Sequence, residues 1–405
     1  MKPRDCRQHL TSAALLLLTA LLCSSASADS RDQAKRLHDR IAGVPPDEAT
    51  LASMAAEIDA NDPLAAALIA TDAPEFYSVT LKNFAAPWTN RERSVFVPLN
   101  DYIATVIGVV RDEVDFREIL SGDILYVGTE PGLPAYSVSN NDHYEALENQ
   151  GVNLRDSLTS VPQSSRNGLP PEATAGVMTS RAAAKAFFID GTNRAMFRFT
   201  LINHLCHDLE QVMDTTRAPD RIRQDVSRSP GGDSRVFLNN CIGCHSGMDP
   251  LAQAYAYYDY EYDVAADPDG EFGAIHYNGV SDFDPATGTR VESKYFNNAS
   301  NFEYGYATPD DHWDNYWREG QNSLLGWDPS LPGSGTGAKT MGQELAHSDA
   351  FAQCQVEKVF ENVCLRPPQD SGDRAEVDAM VNSLRSNGYN LKLTFAESAV
   401  YCMGD

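Results

Sequence analysis

The pentapeptide Cys241-Ile242-Gly243-Cys244-His245 constrains this chain more than any other feature of its sequence. The spacing C-x-x-C-H is the attachment signature of c-type haem. Two thiols three residues apart can each form a thioether with a haem vinyl group, and the next imidazole then reaches the iron from the same side. We therefore predict one covalent haem c on Cys241 and Cys244, with His245 as the proximal ligand of the iron.

Two other chemistries use closely spaced cysteines and are less consistent with this sequence. A structural zinc site needs two further ligands with paired spacing, and the residues around the motif offer none. A thioredoxin-like redox site needs a βαβ setting, and the surrounding pattern does not predict one. Haem attachment is therefore the interpretation that we adopt.

Residues 1–28 have the pattern of a secretory signal peptide. Three basic residues precede an apolar run over 13–22, and small residues end at Ala28, where we predict cleavage. The apolar run is well short of the ~20 residues that a membrane span needs. Lipid attachment at Cys23 is disfavoured because Leu22 precedes it where a small residue is expected. We expect a periplasmic protein with no membrane span in the mature chain, and haem attachment outside the cytoplasm agrees with export.

The mature chain is strongly acidic. The full sequence of 405 residues carries a net charge of −25, and removal of a segment with three basic and one acidic residue leaves −27. This charge argues against binding to nucleic acid and against docking on anionic lipid. It is compatible with a soluble exported protein, or with attraction of a basic redox partner.

Four further cysteines, Cys206, Cys354, Cys364 and Cys402, predict two disulfides in an oxidising compartment. Cys354 and Cys364 lie on a predicted helix over 348–364, which separates them by about 15 Å. Disulfide Cα atoms lie within about 7 Å, so these two do not pair with each other. Two arrangements remain: Cys364–Cys402 with Cys206–Cys354, or the same residues with partners exchanged. We favour the first, because the last helix is expected to end near the end of the Cys364 helix.

The apolar periodicity predicts a mainly α, multi-helical fold with a c-type haem-binding segment and long irregular loops. The clearest helical patterns cover 192–213, 373–387 with a capping box that begins at Asp373, and 391–401. After the signal peptide we expect three regions. Residues 29–230 form an N-terminal helical region, and residues 346–405 form a C-terminal helical module. Between them, residues 231–345 form a cytochrome c-like haem-binding region that contains an aromatic and acidic insertion.

The sixth iron ligand is the open question at this stage. Met341 is the preferred candidate, because it lies in a glycine-rich stretch before the last helices, similar to the axial methionine loop of small class I cytochromes c. A Met/His pair raises the reduction potential and suits electron transfer. Four histidines are further candidates: His204, His207, His276 and His312. A structural role is the better interpretation of His204 and His207.

The residues around the motif also resemble a known family. Residues 240–251, followed by Tyr258-Asp259, are similar to the haem segment of the multi-module, planctomycete-type cytochrome c proteins, which read C-x-x-C-H-x-x-x-D-P-x-G-x-x-x-x-x-F-D. Residues 177–208 resemble the segment that precedes the haem in that family. Residues 348–401 resemble its C-terminal helical module, and residues 74–88 resemble part of its N-terminal module. Residues 276–340 look like an insertion, and no glycine follows Asp249-Pro250 at the usual position. The resemblance implies a helical haem protein and names no substrate.

Asp249 and Pro250 also have a local interpretation. We interpret Pro250 as the end of the haem turn, and Asp249 as the cap of a helix that begins there.

Two functional classes follow from these observations. The first is an exported, monohaem c-type cytochrome that exchanges electrons with a partner protein or a small-molecule donor or acceptor. The second is a haem enzyme, peroxidase- or oxidase-like, with an open distal site. The length of the chain favours the haem enzyme, or a third class, a binding protein in which the haem is structural. A small cytochrome needs only a fraction of these residues. The haem chemistry favours the first, which we adopt.

Overall fold

The computed structural model describes residues 29–189 and 193–404, so the predicted signal peptide lies outside the described residues. The predicted mainly α fold is confirmed. The α-helices of the described residues are, in chain order, α1 Ser30–Ala42, α2 Glu48–Asp59, α3 Pro63–Ala70, α4 Lys82–Ala85, α5 Asp101–Arg111, α6 Asp142–Asn149, α7 Leu154–Ser157, α8 Ser164–Asn167, α9 Arg181–Phe187, α10 Arg194–His204, α11 Ser234–Val236, α12 Ile242–Ala252, α13 Gly337–Ala346, α14 Asp349–Cys364, α15 Ser371–Ser386 and α16 Leu391–Cys402. In this part of the chain, no helix combines the length and apolar character of a membrane span.

The strands are short and form antiparallel pairs. They are β1 Leu125–Gly128 with β2 Leu158–Val161, β3 Tyr258–Glu261 with β4 Ala274–Tyr277, and β5 His312–Asp314 with β6 Ser334–Thr336. In the second pair Asp259 lies opposite His276, and in the third Trp313 lies opposite Gly335. The rest of the predicted insertion consists of loops and single 3₁₀ turns, as its lack of periodicity suggests.

One large apolar core joins the two ends of the chain. Helices α1, α2 and α3 pack on one another, and α1 and α3 contact α16. Helix α16 packs in turn against α14 and α15. Helix α5 is buried over Asp101–Val110, which places it at the centre of the molecule. The core therefore draws on residues from all three of the predicted regions.

Two disulfides hold the C-terminal helices. Cys206 and Cys354 have Cα atoms 5.3 Å apart, and Cys364 and Cys402 have Cα atoms 5.5 Å apart. The first bond ties Cys206, two residues beyond the end of α10, to α14, and the second joins the ends of α14 and α16. The structure thus contains the favoured one of the two arrangements that the sequence left open.

The predicted long helix over 192–213 is wrong in its C-terminal half. Helix α10 ends at His204, and Cys206 has a φ of 56° in the left-handed region. A non-glycine residue in that region cannot continue an α-helix, and the disulfide of Cys206 fixes the exit of the chain. The ion pair between Arg198 and Asp208, 2.6 Å long, then turns the following loop back on α10.

The C-terminal helix boundaries agree better with the sequence. Ser348 caps α14 by accepting a hydrogen bond of 3.2 Å from the Phe351 N–H, as its position predicts. Helix α15 starts two residues before the predicted Asp373, because Asp370 is its N-cap. The Asp373 carboxylate is instead paired with Arg366, so the predicted capping box does not form.

Candidate haem-attachment site

The C-x-x-C-H motif lies on a continuous helical segment. A π-helical turn over Phe237–Cys241 leads directly into α12, Ile242–Ala252. Residues three and four apart share a face of a helix, so Cys241, Cys244 and His245 project from the same side. The predicted turn at Asp249-Pro250 is wrong, because both residues lie inside α12.

Two glycines allow the opposite face of α12 to pack closely on the protein. A Cβ added to Gly243 would lie 2.3 Å from Cγ of Met213, and one added to Gly247 would lie 1.9 Å from Nε1 of Trp317. The Asp214 N–H also donates to the Gly243 carbonyl over 3.0 Å. The helix is thus anchored through the face that does not carry the thiols.

The two motif cysteines remain unpaired. Among the cysteines of the described residues, Cys241 and Cys244 are free, half-buried thiols, whereas the other four form disulfides. The Cys244 thiol donates to the Leu209 carbonyl over 3.5 Å, and burial raises its pKa.

His245 is held by a carboxylate one turn further along the helix. Its Nδ1 lies 3.1 Å from Oδ1 and 3.2 Å from Oδ2 of Asp249, whose side chain is 0% exposed. An ionised carboxylate only accepts hydrogen bonds, so Nδ1 is the protonated nitrogen. Nε2 then carries the free lone pair, on a side chain that is 20% exposed. Nε2 is therefore available as a metal ligand.

Asp249 is ionised because of the arginine that it faces. Burial by itself raises the pKa of Asp249, but the charge of Arg194 holds the pKa well below its ordinary value. Arg194 Nε lies 2.7 Å from Oδ1 and Nη2 lies 2.9 Å from Oδ2. Arg194 also pairs with Asp225 at 2.7 Å, and Asp225 pairs with Arg223 at 3.0 Å. These four side chains are called the Arg–Asp cluster below.

The residues of this helical face fit a haem c. They supply two thiols able to form thioethers and, on the same face, an imidazole whose Nε2 can bind iron. Leu238, one turn before Cys241, is 55% exposed and adds apolar surface of the kind that a porphyrin covers. Across residues 29–189 and 193–404, no group of three or more His, Cys, Asp or Glu has the geometry to hold a metal ion.

Met341 lies in a different setting from the one that its sequence context suggests. It is inside α13 and completely buried, and not in a flexible loop. The next residue, Gly342, packs directly on the Leu120 carbonyl and on Met178, which places this turn of α13 in the main core. A role of Met341 as iron ligand stays a prediction.

The candidate histidines have local partners. His204 is buried with Nε2 at 2.8 Å from the Tyr102 hydroxyl, and His207 Nδ1 lies 2.5 Å from the Leu205 carbonyl. His276 Nε2 lies 3.0 Å from Oδ1 of a neighbouring asparagine, and the His312 side chain is 46% exposed. These contacts give structural roles to His204 and His207, and iron binding by any of the four stays a prediction.

The sequence interpretation missed the Arg–Asp cluster. The spacing of His245 and Asp249, four residues apart, is a local signal that becomes visible once the helix is continued through the motif. Arg194 is 55 residues from Asp249 and 31 residues from Asp225, so no local pattern links them.

Comparisons of this chain with models of protein families, with curated proteins and with solved structures give no match. The resemblance to planctomycete-type cytochromes c therefore stays an expectation from the sequence.

Proposed function

We propose that this chain is an exported, monohaem c-type cytochrome that acts in electron transfer. Cys241 and Cys244 would hold haem c through thioethers, and His245 would bind the iron through Nε2. One observation carries the proposal: both free thiols and the His245 imidazole lie on one partly exposed helical face. When bound, the haem supplies a one-electron Fe(III)/Fe(II) couple.

Electron transfer is supported by where this face lies. Cys241 and Cys244 are partly exposed, so a porphyrin held by them would be accessible from the molecular surface. A partner can approach that edge without any opening of the core. The strongly acidic composition favours attraction of a basic redox partner, with an association rate that falls as salt increases.

Export to the periplasm is supported by two independent features. The first residues have the pattern of a signal peptide. Both disulfides are compatible with an oxidising compartment. The proposed haem attachment would take place on the same side of the membrane. The resemblance to planctomycete-type cytochromes c agrees with these features.

A haem enzyme is the second candidate, and the position of Met341 favours it. The preferred sixth ligand is completely buried inside α13, in the main core. Without a sixth protein ligand, the iron would keep a position open for peroxide or oxygen. Rapid binding of CO by the reduced protein would therefore support a peroxidase- or oxidase-like activity, whereas slow or absent binding supports the carrier.

Covalent haem can be tested directly. The chain is produced with export and a haem-maturation system, and haem is stained on a denaturing gel and quantified by its pyridine haemochrome spectrum. We expect one haem per chain, and its loss in the double variant Cys241→Ala/Cys244→Ala. The matched control, Cys206→Ala/Cys354→Ala, removes two cysteines outside the motif and should retain the haem. Normal staining of the first double variant, or an unstained wild type, would contradict the proposal.

A further inference from the structure

The Asp249 carboxylate lies on the side of His245 away from the proposed iron. We infer that Asp249 is a positioning residue that fixes the tautomer of His245 and increases the electron donation of Nε2, thereby lowering the reduction potential of the haem. This inference rests on the proposed haem at His245, and it concerns how that site is tuned.

The geometry supports a charge-assisted hydrogen bond. Both carboxylate oxygens lie within 3.2 Å of Nδ1, and the Asp249 side chain is 0% exposed, so water does not compete for it. A hydrogen bond to a buried carboxylate is stronger than one to a neutral carbonyl. It draws the Nδ1 proton away from the ring and raises the basicity of Nε2. A more basic ligand stabilises Fe(III) relative to Fe(II).

The Arg–Asp cluster limits how far Arg194 neutralises that carboxylate. Arg194 contacts both oxygens of Asp249, but its Nη1 and Nη2 also lie 2.7 Å and 3.1 Å from the oxygens of Asp225. One guanidinium is thus shared between two carboxylates. Arg194 therefore does not engage Asp249 exclusively, and both oxygens of Asp249 remain within hydrogen-bond distance of His245.

The test is the reduction potential of three holoprotein variants, measured by spectroelectrochemistry. Asp249→Asn keeps the size and an acceptor oxygen but removes the charge. We expect at least a tenfold shift of the equilibrium toward Fe(II), which is about 59 mV for one electron. Asp225→Asn removes an equal charge from the same cluster without touching His245, and should shift the potential much less. An unchanged potential in Asp249→Asn, or an equal rise in both variants, would overturn the inference.

Asp249→Asn leaves the charge of Arg194 less well compensated and could prevent folding. A second variant, expected to shift the reduction potential in the opposite direction, covers that case. Arg194→Lys retains a cation but loses the two-pronged contact with Asp249, so the carboxylate should interact more strongly with His245. We expect a lower potential than in the wild type, and an unchanged or higher one would overturn the inference.

The haem content of the wild type separates this inference from the proposed function. One covalent haem per chain with an unchanged potential in Asp249→Asn would overturn the inference alone. A wild type without covalent haem would overturn the proposed function and the inference together.

Discussion

Glu292 offers a quantitative test of the electrostatics inside the predicted insertion. Its side chain is buried, and Oε1 has no hydrogen-bond partner among the described residues. Burial, followed by the charge of Asp259, raises its pKa to about 7, and Glu261 acts in the same direction. Lys294 and His276 oppose the rise without cancelling it. The folded protein therefore retains a proton on Glu292 that the unfolded chain loses near pH 4.5.

The sign and size of the effect on stability follow from this difference. Below pH 4.5 the carboxyl is protonated in both states and contributes nothing. Between pH 4.5 and 7 the unfolded chain loses its proton while the folded protein keeps it, so the free energy of unfolding falls as the pH rises. At about 1.4 kcal/mol per pH unit the loss reaches about 3 kcal/mol, and it stays constant above pH 7.

The substitution Glu292→Gln removes this titration while it keeps the shape of the side chain. We expect the variant to match the wild type within about 0.5 kcal/mol at pH 4, and to exceed its free energy of unfolding by up to about 3 kcal/mol at pH 8. The measurement is urea unfolding, followed by tryptophan fluorescence at both pH values. The difference between the two proteins cancels the titration of groups that do not interact with Glu292, including Asp311, whose pKa burial raises to about 6.

The exposed residue Glu303 provides the matched control. Glu303→Gln makes the same chemical change at the surface and should alter stability by no more than about 0.5 kcal/mol at either pH. A difference between Glu292→Gln and the wild type that is the same at pH 4 and pH 8 would refute the reasoning. So would an equal pH dependence in the control.

Two further substitutions test the packing and the ligation of the candidate site. Gly247→Ala should lower the free energy of unfolding, measured in urea, by about 1–2 kcal/mol, because the new Cβ overlaps the buried Trp317 indole. The cost of this overlap exceeds the gain from the higher helix propensity of alanine. Gly279→Ala, in extended backbone where a new Cβ would make only ordinary van der Waals contacts, should change stability by less than about 0.5 kcal/mol. Equal values for the two variants would contradict this reasoning. Met341→Leu keeps the core volume. It should convert a low-spin absorption spectrum to a high-spin one if Met341 binds the iron, and an unchanged spectrum would exclude Met341 as the ligand.

Local chemistry explains what the sequence predicts well. The hydroxyl of Ser348 sits at the start of α14 because a side-chain acceptor is needed there for the free Phe351 N–H. One helix excludes one of the three possible disulfide arrangements, since the rise per residue prevents a bond between Cys354 and Cys364. Each of these inferences needs only neighbouring residues and a fixed geometry.

Tertiary constraints explain what the sequence does not predict. The apolar spacing beyond His204 continues as in a helix, but the bond to Cys354 holds Cys206 in a left-handed conformation that ends it. Asp249 followed by proline has the pattern of a helix cap. Its carboxylate instead lies within α12, where it meets His245 and an arginine from a distant helix. Both errors arise where a long-range contact overrides a local preference.

The insertion inferred from the family resemblance is part of the support for the motif helix. Trp317 comes from that segment, is completely buried, and lies directly beneath Gly247 on the face of α12 opposite the thiols. Its backbone carbonyl accepts a hydrogen bond of 2.9 Å from Nε1 of Trp327, which belongs to the same segment. The absence of a Cβ at Gly247 lets α12 approach the flat indole closely. The aromatic residues that have no periodicity in the sequence therefore help to hold Cys241, Cys244 and His245 at the surface.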